Sequence, residues 1–144
     1  MIKRSPQVFA SNLNKKFKIN LRSIVILAKK ILQAERQKSG VNIIFINDKF
    51  MKRLNQKFLG KDKTTDVLAF ALKSEVSFEK HSLFLGEVYI SLDQAKRQAQ
   101  EYRVSLAQEV KRLVTHGILH LLGYDHKNKK DALTMRKKEE KYLN

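Results

Sequence analysis

The hydrophobic period of this chain switches between 3.6 and 2 several times before settling at 3.6, and that order of segments limits the fold more than any other feature. Residues 21 to 38, LRSIVILAKKILQAERQK, place Ile24, Leu27, Ala28, Ile31 and Leu32 at helical spacing, with Asn20 as N-cap and Gly40 just beyond the end. VNIIFI (41 to 46) is short and β-branched and is closed by Asn47-Asp48, which predicts a buried strand and then a capped helix through KFMKRLNQKF. DVLAFAL (66 to 72) and LFLGEVYIS (83 to 91) read as further strands, the second alternating Val88 and Ile90 against Glu87 and Tyr89, and a first strand is expected near residues 5 to 10. Ser91 with Gln94, and Ser105 with Gln108, have capping-box spacing, and Asn128 or Asp131 opens a last helix, DALTMRKKEEKYL. Mixed strands and helices followed by helices alone predict an α+β fold, a small mixed central sheet of about four strands with about five helices packed on it.

One proline, five glycines and no Gly/Ser linker leave no boundary to divide the 144 residues, so a single domain over 1–144 is expected. Thirty Lys and Arg against fourteen Asp and Glu give a formal charge of +16, most uneven in residues 1 to 40, with ten bases and one acid. Such an excess steers polyanions to the surface and makes nucleic acid the expected partner, without saying which sequence or what chemistry. Cysteine is absent, which excludes disulfides, thiolate metal sites and a thiol nucleophile, so any metal must be held by nitrogen and oxygen. The longest apolar runs are too short to span a bilayer, and MIKRSPQVF lacks the apolar stretch of a secretory signal. A cytoplasmic protein with no membrane partner, acting as a monomer, is expected.

Three of the four histidines lie in HGILHLLGYDH, residues 116 to 126. On a helix starting at Ser105, His116 and His120 fall within about 40° of each other, at the border of an apolar side formed by Val110, Val114, Gly117, Ile118 and Leu121 and on the stripe of Glu109 and Arg112. Imidazoles at i and i+4 can reach one ion, and Gly123 is placed to end the helix in a left-handed cap that returns His126 toward them. Zinc held by three neutral nitrogens keeps an open position for water and lowers that water's pKa to roughly 7. Nickel, cobalt and copper also take imidazole. Gly117 stands where the H-E-x-x-H pattern has its glutamate, so a peptidase of that kind is not expected. Asp125 is either a carboxylate orienting an imidazole or a turn residue, and Glu87 is a further candidate acid. His81 reads as a loop residue, and Thr65 and Asp66 either line a cleft or cap a turn.

HGILHLLGYDH resembles the H-G-x-L-H-L-x-G-Y-D-H signature of the YbeY family of bacterial metal-dependent endoribonucleases. LNQKFLGKDKTTDVLAF (54 to 70) is similar to the family's L-N-x-x-Y-R-x-x-x-x-x-T-D-V-L-S-F segment, and LGEVYIS (85 to 91) to its L-G-D-I-x-I-S strand. The resemblance implies an α+β fold, one zinc ion held by His116, His120 and His126, and cleavage of single-stranded RNA through that metal; Asp125 and Glu87 remain the candidate assisting acids, the latter also readable as a charge on the open side of its strand. It further implies a role in ribosomal RNA processing at the 3′ end of the small-subunit RNA, ribosome quality control, and contact with the ribosome or ribosomal proteins. Phe58-Leu59 takes the place of the family's Tyr-Arg, Glu87 that of an aspartate, and Ala69 and Ala71 those of Ser and Pro. RNA contact then falls to Lys57, Lys61, Lys63 and Arg112, although lysine lacks arginine's bidentate fork. Two other functions fit the same residues: a ribosome-assembly, RNA-binding protein with a structural metal, and a different metal-dependent hydrolase.

Overall fold

The computed structural model describes residues 5–72 and 84–144, so His81 and the start of the strand expected from residue 83 lie outside the described residues. The order is β1 (Val8–Asn12), α1 (Leu21–Ala34), β2 (Gly40–Ile46), α2 (Asp48–Leu59), β3 (Val67–Ala71), β4 (Phe84–Ser91), α3 (Leu92–Tyr102), α4 (Leu106–Leu121) and α5 (Lys129–Leu143). The strands form one sheet in the order β1-β2-β4-β3. β1 and β4 lie parallel to β2 on either side of it, and β3 is antiparallel to β4, so the sheet is mixed as expected.

Alternation along β2 divides the core in two. Val41, Ile43 and Phe45 join Val88 and Ile90 of β4 against α1 and α4, while Ile44 and Ile46 point to the other face, under Met51, Phe50 and Leu54 of α2. Each fully buried Ile or Leu of this kind contributes about 1.5–3 kcal/mol. α5 closes over α4 with Met135 and Tyr142, both buried in the larger core.

Helix α1 ends four residues earlier than its sequence suggests. Arg36 takes the left-handed conformation (φ 58) that a glycine usually supplies, and the Gln37 amide then closes on the Leu32 carbonyl at 2.8 Å. Gly40 instead begins β2, where the backbone of Gln7 crosses so closely that a Cβ would meet its carbonyl oxygen at 1.6 Å. Of the two expected capping boxes, the one at Ser105 and Gln108 closes in both directions. At Ser91 the hydroxyl accepts from the Gln94 amide, but the Gln94 side chain is drawn away to Arg97 and Gln98.

A polar cluster ties the sheet's end to the loop before β3. Asp48, at the first turn of α2, accepts hydrogen bonds from Ser91 Oγ (2.8 Å) and Thr64 Oγ1 (3.1 Å) and pairs with Arg97 at 2.7 Å. Burial alone would raise its pKa, yet these three donors hold it below the ordinary carboxylate range. The loop held in this way leads directly into Thr65 and Asp66.

Candidate metal centre

Helix α4 runs from its Ser105 cap to the histidines along the sheet, and Gly117 is what lets it lie so close. A Cβ there would meet Val88 Cγ1 at 2.5 Å and Val67 Cγ2 at 3.3 Å. The position that carries the catalytic glutamate in H-E-x-x-H is thus packed against β3 and β4, with no room for a side chain.

The helix ends in a Schellman turn: Gly123 takes φ 98, its amide bonds to the His120 carbonyl at 3.1 Å, and the Tyr124 amide bonds to the Leu119 carbonyl at 3.0 Å. The reversal brings His126 back over the helix. Ring centroids stand 5.6 Å apart for His116 and His120, 6.0 Å for His116 and His126, and 5.8 Å for His120 and His126. One ring nitrogen from each lies within 4.8 Å of the other two.

Two of the rings are set by their far nitrogens. His120 Nδ1 lies 3.0 Å from the Tyr124 carbonyl, which can only accept, so the proton sits on Nδ1 and the lone pair on Nε2. His116 Nδ1 in the same way donates to Glu139 Oε1 of α5 at 2.6 Å. Imidazoles with Nδ1 bonded to an acceptor leave Nε2 as the atom for a metal, and that is the donor arrangement zinc and related divalent ions take. The residues present therefore fit a bound metal.

A second cluster secures the turn that carries His126. Glu35, just past α1, accepts from Tyr124 Oη at 2.6 Å, from Lys138 Nζ at 3.0 Å and from Tyr142 Oη. Burial would raise the Glu35 pKa, but these donors bring it below its usual value; burial and the same carboxylate push the Tyr142 phenol up to about 12. The end of α1, the turn after α4 and the last helix are thereby joined at one carboxylate.

The histidines line a cleft of about 570 Å³ with Thr65, Asp66, Arg112, Arg136 and Glu139. Arg112 is there as expected, but two of its nitrogens are committed to Glu109, at 2.8 and 2.7 Å. Glu109 is 1% exposed, also takes a 2.6 Å bond from Gln98, and keeps the guanidinium firmly protonated. Gln98 in turn reaches Asp66 at 3.3 Å, so the cleft residues Asp66 and Arg112 are joined through Gln98 and Glu109 behind them.

Other expected site residues lie elsewhere. Glu87 alternates with Val88 and shares the Tyr89 face of the sheet, where it accepts from Tyr89 Oη and Asn42, on the opposite side from the histidines. Asp125 accepts from the Lys127 amide at 2.7 Å and makes no bond to an imidazole among the described residues; it is a turn residue. Lys57, Lys61 and Lys63 are exposed on α2 and the loop after it, and none of them lines the cleft. Two cleft residues escaped the sequence reading, Arg136 and Glu139. With Ala132 and Met135 they form an i, i+3, i+4, i+7 stripe on α5, a pattern that marks one face of that helix but not what it covers.

Among the described residues no helix is long and apolar enough to cross a membrane. The family profile described as Endoribonuclease YbeY matches residues 9–144 of the chain. The chain is 42% identical to the endoribonuclease YbeY of Pelotomaculum thermopropionicum, over 81% of its own length and 79% of that protein's. It is 37% identical to that of Desulforamulus reducens, over 94% of both chains. A solution structure of a Thermotoga maritima protein superposes with a TM-score of 0.66 at 31% identity, covering 95% of this chain and 85% of that one.

Proposed function

The chain belongs to the YbeY endoribonuclease family, and from that premise we propose that it is a metal-dependent endoribonuclease that cuts single-stranded RNA. The observation that carries this reading is the convergence of His116, His120 and His126 on one point in a cleft that also holds Arg112 and Arg136. His116, His120 and His126 hold one divalent ion per chain, zinc by preference. Bound there, such an ion supplies a Lewis acid for a phosphoryl oxygen and acidifies water near neutral pH.

The remaining work falls to the protein. Glu139 and the Tyr124 carbonyl hold the Nδ1 protons of His116 and His120, which keeps both Nε2 lone pairs directed at a common point. Arg136 faces the phosphodiester with a cation that has no salt-bridge partner within 4.0 Å among the described residues. Arg112, already matched by Glu109, adds direction more than net charge. A single strand fits this role because in-line attack needs a backbone free to turn, which an A-form duplex does not offer. Lys57, Lys61 and Lys63 steer RNA from outside the cleft as exposed charges. The biological substrate in this reading is ribosomal RNA in the cytoplasm, at the 3′ end of the small-subunit RNA, with the ribosome or its proteins as partners and the chain acting as a monomer.

Metal analysis of the purified chain, followed by digestion of single-stranded and duplex RNA with and without chelator, tests the reading. Near-stoichiometric zinc and chelator-sensitive cutting of the single strand are expected; a chain that neither carries nor rebinds a transition ion overturns it. One observation favours a second reading, an RNA-binding assembly factor with a structural metal: Leu59, half exposed, stands where the family pattern that the sequence resembles has arginine. His116→Ala separates the two. With the fold shown intact by circular dichroism, loss of ribosome assembly together with cleavage supports the nuclease, and assembly that survives without cleavage supports the binding protein.

A further inference from the structure

A second groove, of about 740 Å³, lies against the first turns of α4, where Tyr102, Val104, Gln108, Lys111, Arg112 and Leu143 line it around the buried carboxylate of Glu109. Arg112 belongs to both concavities, forming a wall of this groove and of the histidine cleft. Gln108, Arg112, His116 and His120 follow one another at four-residue intervals, so one slowly turning row on α4 leads from the groove to the candidate metal centre, in steps of about 6 Å.

The groove's chemistry differs from that of the cleft. Tyr102, Val104 and Leu143 are 54%, 39% and 38% exposed, an apolar and aromatic surface beside the exposed cation of Lys111. The Arg112 guanidinium lies 5.8 Å from the centre of the Tyr102 ring, and its two bonds to buried Glu109 fix its orientation. A tyrosine ring and an immobilised guanidinium are the two planar groups on which unpaired bases stack. The Gln108 carbonyl oxygen is taken by the Ser105 amide at 2.9 Å, which leaves that side chain its NH2 group as a donor.

We propose that this groove is a nucleobase subsite, in which the nucleotide next to the one whose phosphate enters the histidine cleft stacks its base on Tyr102 and meets Lys111 with its phosphate. The proposal rests on the reading of the cleft as an RNA-cutting site, and it names what lies beside the cut. A peptide or lipid would find the apolar wall but has no reason to continue past Arg112 to the histidines, whereas a polynucleotide presents a base for Tyr102 and a phosphate for Lys111 and the histidine cleft at successive steps. Stacking makes the subsite tolerant of sequence, and the Gln108 NH2 group supplies a donor that any base can meet with a ring nitrogen or carbonyl.

The test compares two probes on the metal-loaded full chain: a labelled 2′-O-methyl oligoadenylate, which has bases and resists cutting, and inorganic polyphosphate, which has none. Tyr102→Ala is expected to weaken oligoadenylate binding about tenfold and to leave polyphosphate binding and the salt dependence unchanged, since no phosphate contact is lost. Tyr102→Phe is expected to keep the parent affinity. Equal loss of both probes in Tyr102→Ala, or loss of neither, overturns the subsite. Tight oligoadenylate binding that ignores Tyr102 removes the subsite alone, whereas a parent protein that does not bind oligoadenylate removes the RNA reading with it.

Discussion

Glu139 Oε1 stands 2.6 Å from His116 Nδ1, so a carboxylate on the last helix sets the proton, and with it the donor face, of an imidazole one helix earlier. The bond spans 23 positions of sequence. It makes the docking of α5 onto α4 a condition for the candidate metal centre as well as for the core.

Removing that carboxylate should therefore weaken metal binding without unfolding the chain. Glu139→Ala is expected to lower zinc affinity about 10- to 100-fold, with Glu139→Gln between it and the parent, because a neutral amide oxygen still accepts the Nδ1 proton. Competition with a chromogenic chelator measures the affinity, and circular dichroism of the variants checks the fold. Unchanged affinity in Glu139→Ala would show that the imidazole is oriented by other means.

Gly117 offers a sharper packing test. A methyl group at this position must displace Val88, whose Cγ1 would lie 2.5 Å away within the sheet core. Gly117→Ala is expected to cost about 1–3 kcal/mol in urea denaturation, as overpacked cores do. Combined with Val88→Ala, which opens space at the same point, the loss should be smaller than the sum of the two single changes.

These residues also mark how far sequence reasoning reached. The histidines were legible because both the helical spacing and the glycine turn are local, within eleven consecutive residues. So were the strands of β2 and β4, whose alternation assigns each side chain to a face. Glu87 shows the limit of that signal: its parity with Tyr89 was visible, but which face held the histidines depended on where α4 packs. Glu139 and Arg136 were missed for the same reason, since an exposed-looking helix of mixed charge does not announce which neighbour it covers. The end of α1 was misplaced because Arg36, not a glycine, takes the left-handed position.

The Asp48 cluster predicts the acid limb of stability. Its folded pKa lies below the unfolded value of roughly 4, so the native state gains stability above that pH and loses it as pH falls through the folded value. Glu35 shifts in the same direction and adds to the effect. Denaturant midpoints should hold level from about pH 6 to pH 5 and fall as the pH drops through roughly 4 and below, and Asp48→Asn should flatten the fall without abolishing it, because Glu35 remains. A slope indifferent to Asp48→Asn would mean that the bonds from Ser91, Thr64 and Arg97 do not favour the ionised form.

The turn at Gly123 links stability to metal binding. No atom lies within 4 Å of a Cβ built there, so an alanine meets no clash, and what it faces is the backbone conformation at φ 98. Gly123→Ala is expected to cost about 1–2 kcal/mol, the penalty of holding an ordinary residue on the left-handed side. If the chain relaxes that strain by opening the Schellman turn, His126 leaves the other two rings and zinc affinity falls with stability. Gly123→Asn, which tolerates positive φ better, should recover part of both. Calorimetry with and without zinc separates the two losses: a variant destabilised equally in both conditions keeps its metal affinity, and that result would detach the turn from the ligand set.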